Sequence, residues 1–105
     1  LLDFTYIDDT IKGITFSIER FDSVKNEVFN LASGEGVSIV KIAELIKDFL
    51  DSDIMIKLKD NRTGEVVKYI ADIKKAKERL GFKAETDIKE GIKRSITWYE
   101  TKILK

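Results

Sequence analysis

The sequence contains no cysteine and no histidine. Their absence excludes disulfide bonds, thiolate and imidazole nucleophiles, and the side chains that most often bind zinc or iron. Acid–base chemistry in this chain would therefore use Asp, Glu, Lys, Tyr, Ser or Thr. The acid-x-acid pattern Asp51-Ser52-Asp53 lacks the glycine and the distal glutamate of a calcium loop, so we expect no metal site.

Net charge and long apolar runs are missing as well. The chain has 19 Lys and Arg residues and 19 Asp and Glu residues, so no overall field attracts nucleic acid or an anionic membrane. No apolar run approaches the roughly 18 residues of a membrane span. We therefore expect a cytoplasmic protein that binds neither nucleic acid nor membranes, and whose ligand contacts come from one local site.

A length of 105 residues allows a single domain, 1–105, with one modest core. Apolar residues at helical spacing predict four helices, and alternating residues predict three or four short strands. The helices cover 8–21, 39–50, 72–80 and 86–103, and the strands cover 4–7, 27–31, 54–59 and a short extended segment at 69–71. The fold class is therefore mixed α/β (α+β). Because the sequence opens on Leu1-Leu2-Asp3-Phe4, directly at a predicted strand and without the polar, mobile segment with which domains usually begin, we expect a fragment of a longer protein.

Two of the predicted helix starts have a chemical alternative. Asp8-Asp9 fits helix capping better than a pair of catalytic carboxylates, because an acid there faces the positive end of the helix dipole. Gly34-Glu35-Gly36 lies between a strand and a helix, as in a dinucleotide-binding turn, but Ile39 occupies the position of the third glycine. We therefore favour a plain glycine turn.

In the first helix one apolar stripe is predicted to be buried: Ile11, Ile14, Ile18 and Phe21.

The stretch 60–72 gathers the residue types that hold a phosphorylated, polyhydroxylated ligand. Arg62 offers five donors in a rigid fork that suits phosphate oxygens. Glu65 can accept hydrogen bonds from a pair of sugar hydroxyls, and Gly64 permits a tight turn or a close approach of the ligand. Tyr69, with an apolar ring and a polar tip, could reach a bound hexose. The alternative is a surface loop with an Arg–Glu ion pair worth about 0–1 kcal/mol, and on these grounds alone both stay open.

Several groups of residues occur together in an order that is typical of a known family. They are Asp3-Phe4-Thr5-Tyr6-Ile7-Asp8-Asp9, then 28–31 with 33–39, then Arg62-Thr63-Gly64-Glu65, then 71–76 with Leu80-Gly81-Phe82, and finally Glu90-Gly91 with Trp98-Tyr99. In this order they resemble the C-terminal part of the NAD-dependent epimerase/dehydratase family. Its members are extended short-chain dehydrogenases that act on nucleotide-diphosphate sugars, and the resemblance is strongest to the UDP-sugar 4-epimerases.

The resemblance implies a substrate-binding role for this chain. Arg62 would contact the diphosphate of a UDP-sugar, Glu65 the uridine ribose, and Tyr69 the neighbourhood of the sugar. The chain departs from the family pattern at Leu2, where members usually carry a second phosphate-binding arginine. Prolines common in the family are also replaced, by Asn61, Thr63 and Ala84.

The catalytic machinery would lie elsewhere in the parent enzyme. The family's NAD site and its Tyr-x-x-x-Lys pair belong to an N-terminal Rossmann domain, and no Tyr in this chain has a Lys four residues on. We therefore expect neither catalytic nor NAD-binding residues here, a chain that is inert alone, and a parent that is a homodimer. Two alternatives remain: the same portion of a nucleotide-sugar dehydratase, decarboxylase or other epimerase, or a stand-alone nucleotide-binding module without catalytic activity.

Overall fold

The computed structural model describes residues 1–59, 64 and 67–103. These residues form a two-stranded sheet and five helices. The elements in chain order are β1 (Leu2–Asp3), α1 (Ile7–Glu19), α2 (Phe21–Val24), β2 (Gly36–Val37), α3 (Ile39–Phe49), α4 (Lys74–Leu80) and α5 (Ile88–Lys102). The mixed α/β class is confirmed, with one short helix, α2, more than the sequence predicted. None of the described helices is long and apolar enough to cross a membrane.

The sheet is smaller than predicted and lies elsewhere in the chain. β1 and β2 pair antiparallel, with Leu2 opposite Val37 and Asp3 opposite Gly36. The strands predicted at 4–7, 27–31 and 54–59 are wrong, since every residue in these ranges is described and none lies in a strand. Alternation marks an extended segment, but a strand also needs a neighbour to complete its hydrogen-bond ladder. The predicted extended segment at 69–71 is present, because Tyr69 forms a parallel bridge to Leu2.

The core lies where α4 meets the segments around it. Its buried side chains are Val24, Ala76, Leu80 and Phe82, packed against Phe16, Phe29, Leu31 and Ala84. The inward face predicted for α4 is thus confirmed. Gly81 ends α4 with a φ of 67°, a left-handed conformation that glycine adopts without strain. This turn directs Phe82 back into the core, where its amide donates to the carbonyl of Ala76.

Helix α1 presents the face opposite to the predicted one. The stripe predicted to be buried is at least half exposed: Ile11, Ile14, Ile18 and Phe21. The inward face carries Asp9, Gly13 and Phe16 instead. A β-carbon at Gly13 would lie only 2.6 Å from the nearest Leu31 side-chain atom, so glycine lets Leu31 approach the helix. Periodicity locates an apolar stripe but does not say what covers it.

The prediction that Asp8-Asp9 caps the first helix is wrong, although both acids do lie in its first turn, near the positive end of the dipole. α1 begins at Ile7 after Tyr6, and no side chain caps it. Asp9 is buried, and its carboxylate accepts hydrogen bonds from the amides of Glu85 (3.2 Å) and Thr86 (3.1 Å). The acid therefore ties α1 to the segment before α5.

Two other helices begin with a side-chain cap. Ser38 accepts from the amide of Lys41, and Asp87 accepts from the amide of Glu90.

Candidate functional site

The stretch 60–72, the predicted ligand loop, is described only in part. Arg62 and Glu65 lie outside the described residues, so their predicted roles stay predictions. Gly64 has a φ of 84°, a left-handed backbone conformation that favours glycine. Tyr69 is described, and its side chain is 68% exposed.

The backbone of Tyr69 is fixed, although its ring is exposed. Its amide donates to the carbonyl of Leu1 (2.8 Å), and its carbonyl accepts from the amide of Asp3 (2.9 Å). These bonds join the end of the ligand loop to β1. The structure thus holds Tyr69 at the edge of the small sheet with its phenol facing solvent, where it can meet a ligand.

Asp3 connects this edge to the glycine turn before β2. Its Oδ1 accepts hydrogen bonds from the amide (3.0 Å) and the hydroxyl (2.5 Å) of Ser33. Its Oδ2 accepts from the amides of Gly34 (2.8 Å) and Ala71 (3.3 Å). One half-buried carboxylate therefore holds together β1, the turn at 33–34 and the chain just beyond Tyr69.

The pKa of the Asp3 carboxyl reflects this arrangement. Burial raises the pKa, but hydrogen bonds from one hydroxyl and three backbone amides lower it by more. The pKa therefore lies below its ordinary value of 3.8, because these donors favour the charged form. Asp3 is ionised at neutral pH and can keep all four bonds.

The Gly34-Glu35-Gly36 segment serves packing. Gly34 has a φ of 78°, and a β-carbon there would lie 2.9 Å from the Ile73 side chain. A β-carbon at Gly36 would lie 2.5 Å from the side chain of Ile70. The amide of Gly34 already donates to Asp3. The structure therefore supports the plain glycine turn, which brings residues 70–73 close to β2.

Sequence reasoning missed Asp3 as an organising residue. Its partners lie 30 to 68 positions away in the chain, beyond the reach of any local pattern. No local signal marked Asp3, because it precedes the strand predicted at 4–7. In the part of the chain that the structure describes, no group of three or more acidic side chains could hold a metal ion.

Comparison with known proteins identifies the class to which this domain belongs. A family model described as GDP-mannose 4,6 dehydratase matches residues 2–95. The chain therefore belongs to the NAD-dependent epimerase/dehydratase family, as its motifs indicated.

Individual relatives are similar to it over nearly its whole length. A putative UDP-glucose 4-epimerase of Methanocaldococcus jannaschii is 36% identical over 96 residues, which are 91% of this chain and 30% of that protein. The structure of UDP-glucose 4-epimerase from Thermotoga maritima with UDP-glucose matches at a TM-score of 0.84 and 31% identity, covering 94% of this chain and 31% of that one.

A further solved structure shares the fold. UDP-glucose 4-epimerase from Bifidobacterium longum, in complex with NAD+ and UDP, matches at a TM-score of 0.80 and 27% identity. The match covers 95% of this chain and 30% of that one. The chain thus resembles UDP-glucose 4-epimerases and spans about 30% of the length of the relatives it matches.

Proposed function

We propose that this chain is the C-terminal, nucleotide-sugar-binding portion of an NAD-dependent UDP-sugar 4-epimerase of the UDP-glucose/UDP-galactose type. The observation that carries the proposal is the similarity, over 94% of the chain, to a UDP-glucose 4-epimerase solved with UDP-glucose. In this proposal Arg62 binds the diphosphate, Glu65 the ribose, and Tyr69 lies near the sugar. The edge position and exposed ring of Tyr69 support that assignment.

The chain is proposed to be inert by itself. Reversible hydride transfer between a sugar and NAD needs a closed site that excludes water. Tyr69, by contrast, is largely exposed. NAD and the Tyr-x-x-x-Lys pair would belong to an N-terminal Rossmann domain in the parent enzyme, a cytoplasmic homodimer in this account. The neighbour solved with NAD+ and UDP supports the assignment of NAD to that parent.

The apolar face of α1 is the proposed docking surface for that Rossmann domain. Four isoleucines follow one another along it, each 50–70% exposed: Ile7, Ile11, Ile14 and Ile18. At one end it continues into a cavity of about 560 Å³ lined by Tyr6, Trp98 and Tyr99 among others. Contiguous apolar surface of this kind marks an interaction site. The relatives are about three times longer than this chain. We therefore assign the α1 face to contacts with the remaining part of such a parent.

A dehydratase is the second candidate, because the matching family model is described by a GDP-mannose dehydratase. The two candidates differ in the base as well as in the reaction. An epimerase of the proposed type takes a uridine nucleotide, whereas a GDP-mannose dehydratase takes a guanosine nucleotide. Comparing UDP with GDP therefore separates them on this chain without requiring turnover.

The test is an affinity comparison by amide chemical shifts on the isotope-labelled chain. We expect weak binding of UDP, weaker binding of GDP and no response to NAD. Arg62→Ala should weaken UDP binding about tenfold or more, because a charge-assisted bond to the diphosphate is lost. Lys57→Ala is the matched control, since it removes a positive charge from an exposed position five residues earlier in the sequence and should leave the affinity unchanged. Equal UDP affinities for the two variants would contradict the assigned clamp.

A further inference from the structure

Residues 67–71, here called the ligand edge, are held mainly by hydrogen bonds to β1. Residues 67–69 are exposed, and only Ile70, which packs against Gly36, is largely covered, so little apolar burial fixes the position of Tyr69. Hydrogen bonds hold this segment instead: the bond from the Leu1 ammonium group to the Val67 carbonyl, the two backbone bonds of Tyr69, and the bond between the Ala71 amide and Asp3 Oδ2. A segment with few buried contacts opens readily unless specific bonds hold it.

We propose that Asp3 is a positioning residue for the ligand site. Its carboxylate fixes the backbone on the C-terminal side of Tyr69 against the turn at 33–34, and its own amide fixes the Tyr69 carbonyl. Asp3 thereby sets where the Tyr69 ring stands when a nucleoside diphosphate binds. The inference rests on the proposed function for its ligand, and it gives Asp3 a role that acts through Tyr69 without a ligand contact of its own.

The two carboxylate oxygens of Asp3 accept hydrogen bonds from different partners, and for this reason aspartate is needed. Oδ1 accepts both bonds from Ser33, whereas Oδ2 accepts the bonds from Gly34 and Ala71. An asparagine offers only one oxygen, and its NH2 group would face N–H donors on the other side. Asp3→Asn therefore preserves shape, but it removes the charge that strengthens all four bonds, the one from Ala71 included, and leaves at least one backbone N–H facing an NH2 group whichever way the amide is turned.

Ser33→Ala provides the matched control. It removes the hydroxyl that donates to Oδ1 and leaves both bonds of Oδ2 intact. It also removes the acceptor of the Glu35 amide, so it disturbs the same turn. A purely structural role of this cluster predicts similar effects of Asp3→Asn and Ser33→Ala on UDP-glucose binding. Positioning of Tyr69 predicts that only Asp3→Asn changes it.

The experiment measures the melting transition and the UDP-glucose affinity of the wild-type chain and both variants under conditions where all are folded. UDP-glucose is the probe because Tyr69 is assigned to the sugar, which UDP lacks. We expect Asp3→Asn to weaken UDP-glucose binding about tenfold, through the weakening of bonds to a charged group. The amide shifts of Tyr69 and Ala71 should change with it, whereas Ser33→Ala should stay within about twofold of the wild-type affinity. Folded Asp3→Asn with wild-type affinity, or equal losses in both variants, overturns the inference and leaves the proposed function intact. A wild-type chain that binds neither UDP nor UDP-glucose overturns the proposed function and the inference with it.

A second measurement needs no variant and serves if Asp3→Asn does not fold. In the wild-type chain the amide shifts of Tyr69 and Ala71 should titrate together with the Asp3 carboxyl, because protonation releases the bond to Ala71. Binding of UDP should protect this segment from hydrogen exchange. Amide shifts of Tyr69 and Ala71 that stay constant while Asp3 is protonated would overturn the positioning role.

Discussion

At the scale of single residues, two aspartates of the first motif organise this domain. Asp3 gathers donors from the turn at 33–34 and from Ala71, and Asp9 gathers donors from Glu85 and Thr86. A carboxylate that accepts several backbone bonds can join segments distant in sequence, at the expense of its own hydration. The two acids therefore act as tertiary ties, and neither is placed as a helix cap.

The lowered pKa of Asp3 gives a prediction about pH. A carboxyl whose pKa is lower in the folded state contributes stability above its unfolded pKa, and that stability is lost as the pH falls through the folded value. We therefore expect wild type to be more stable than Asp3→Asn at neutral pH, and the difference to shrink below about pH 4, near the ordinary value of 3.8. Urea unfolding of both chains across this range measures it. A difference that stays constant from neutral pH to about pH 2 would contradict the assigned bonds.

Asp9 gives a second prediction, on stability alone. Asp9→Ala would leave the amides of Glu85 and Thr86 without their acceptor, and we expect the free energy of unfolding to fall by about 2 kcal/mol. Asp8→Ala is the matched control, because Asp8 is exposed and a substitution there should change stability by less than about 0.5 kcal/mol. Chemical denaturation of the two variants measures both changes in the free energy of unfolding. Similar changes would show that the hydrogen bonds of Asp9 do not stabilise the fold.

At the scale of elements, helices were more predictable than strands. The predicted helices at 8–21, 39–50, 72–80 and 86–103 overlap α1, α3, α4 and α5, because each carries several turns of apolar periodicity. The strands were misplaced, since β1 and β2 contain two residues each and alternation cannot be read over two positions. Their pairing depends on a partner more than thirty residues away.

The burial of the apolar stripe of helix α1 was not predictable either. Periodicity located the stripe correctly in the sequence, but whether the stripe is buried depends on what packs against it. In the candidate site, residue chemistry marked Arg62, Glu65 and Tyr69 as candidates but left a plain surface loop open, and the family resemblance implied their roles. It could not select Asp3, whose role follows from contacts made only in the folded chain.

The docking surface on α1 gives a prediction at this scale. Without the remaining part of the parent, the exposed apolar face should make the isolated chain self-associate. Ile14→Lys should weaken this self-association about tenfold or more without lowering the melting temperature, because the isoleucine is half exposed in the folded chain. Leu80→Ala is the contrasting variant, since Leu80 is fully buried and its truncation should cost about 3 kcal/mol. Sedimentation and thermal unfolding measure the two effects. A monodisperse wild-type chain, or an Ile14→Lys variant that melts as low as Leu80→Ala, would contradict a docking surface.

At the scale of the whole molecule, the chain combines a family fold with a small, open edge at Tyr69, which is the candidate ligand site. It measures 52 × 37 × 19 Å, so it is thin in one direction. A domain of this shape offers wide surfaces for its volume. In the proposed division of function, the chain binds the nucleotide sugar, and the hydride chemistry takes place in the part of the parent that holds NAD.

The measurement that tests this account most directly is a UDP titration of the isotope-labelled wild-type chain, with every shifted amide assigned. The account predicts a saturable response that maps to residues 62–71 and to the neighbouring turn at 33–34, and that disappears in Arg62→Ala. No response, or a response confined to surfaces remote from β1 and the ligand loop, would contradict it.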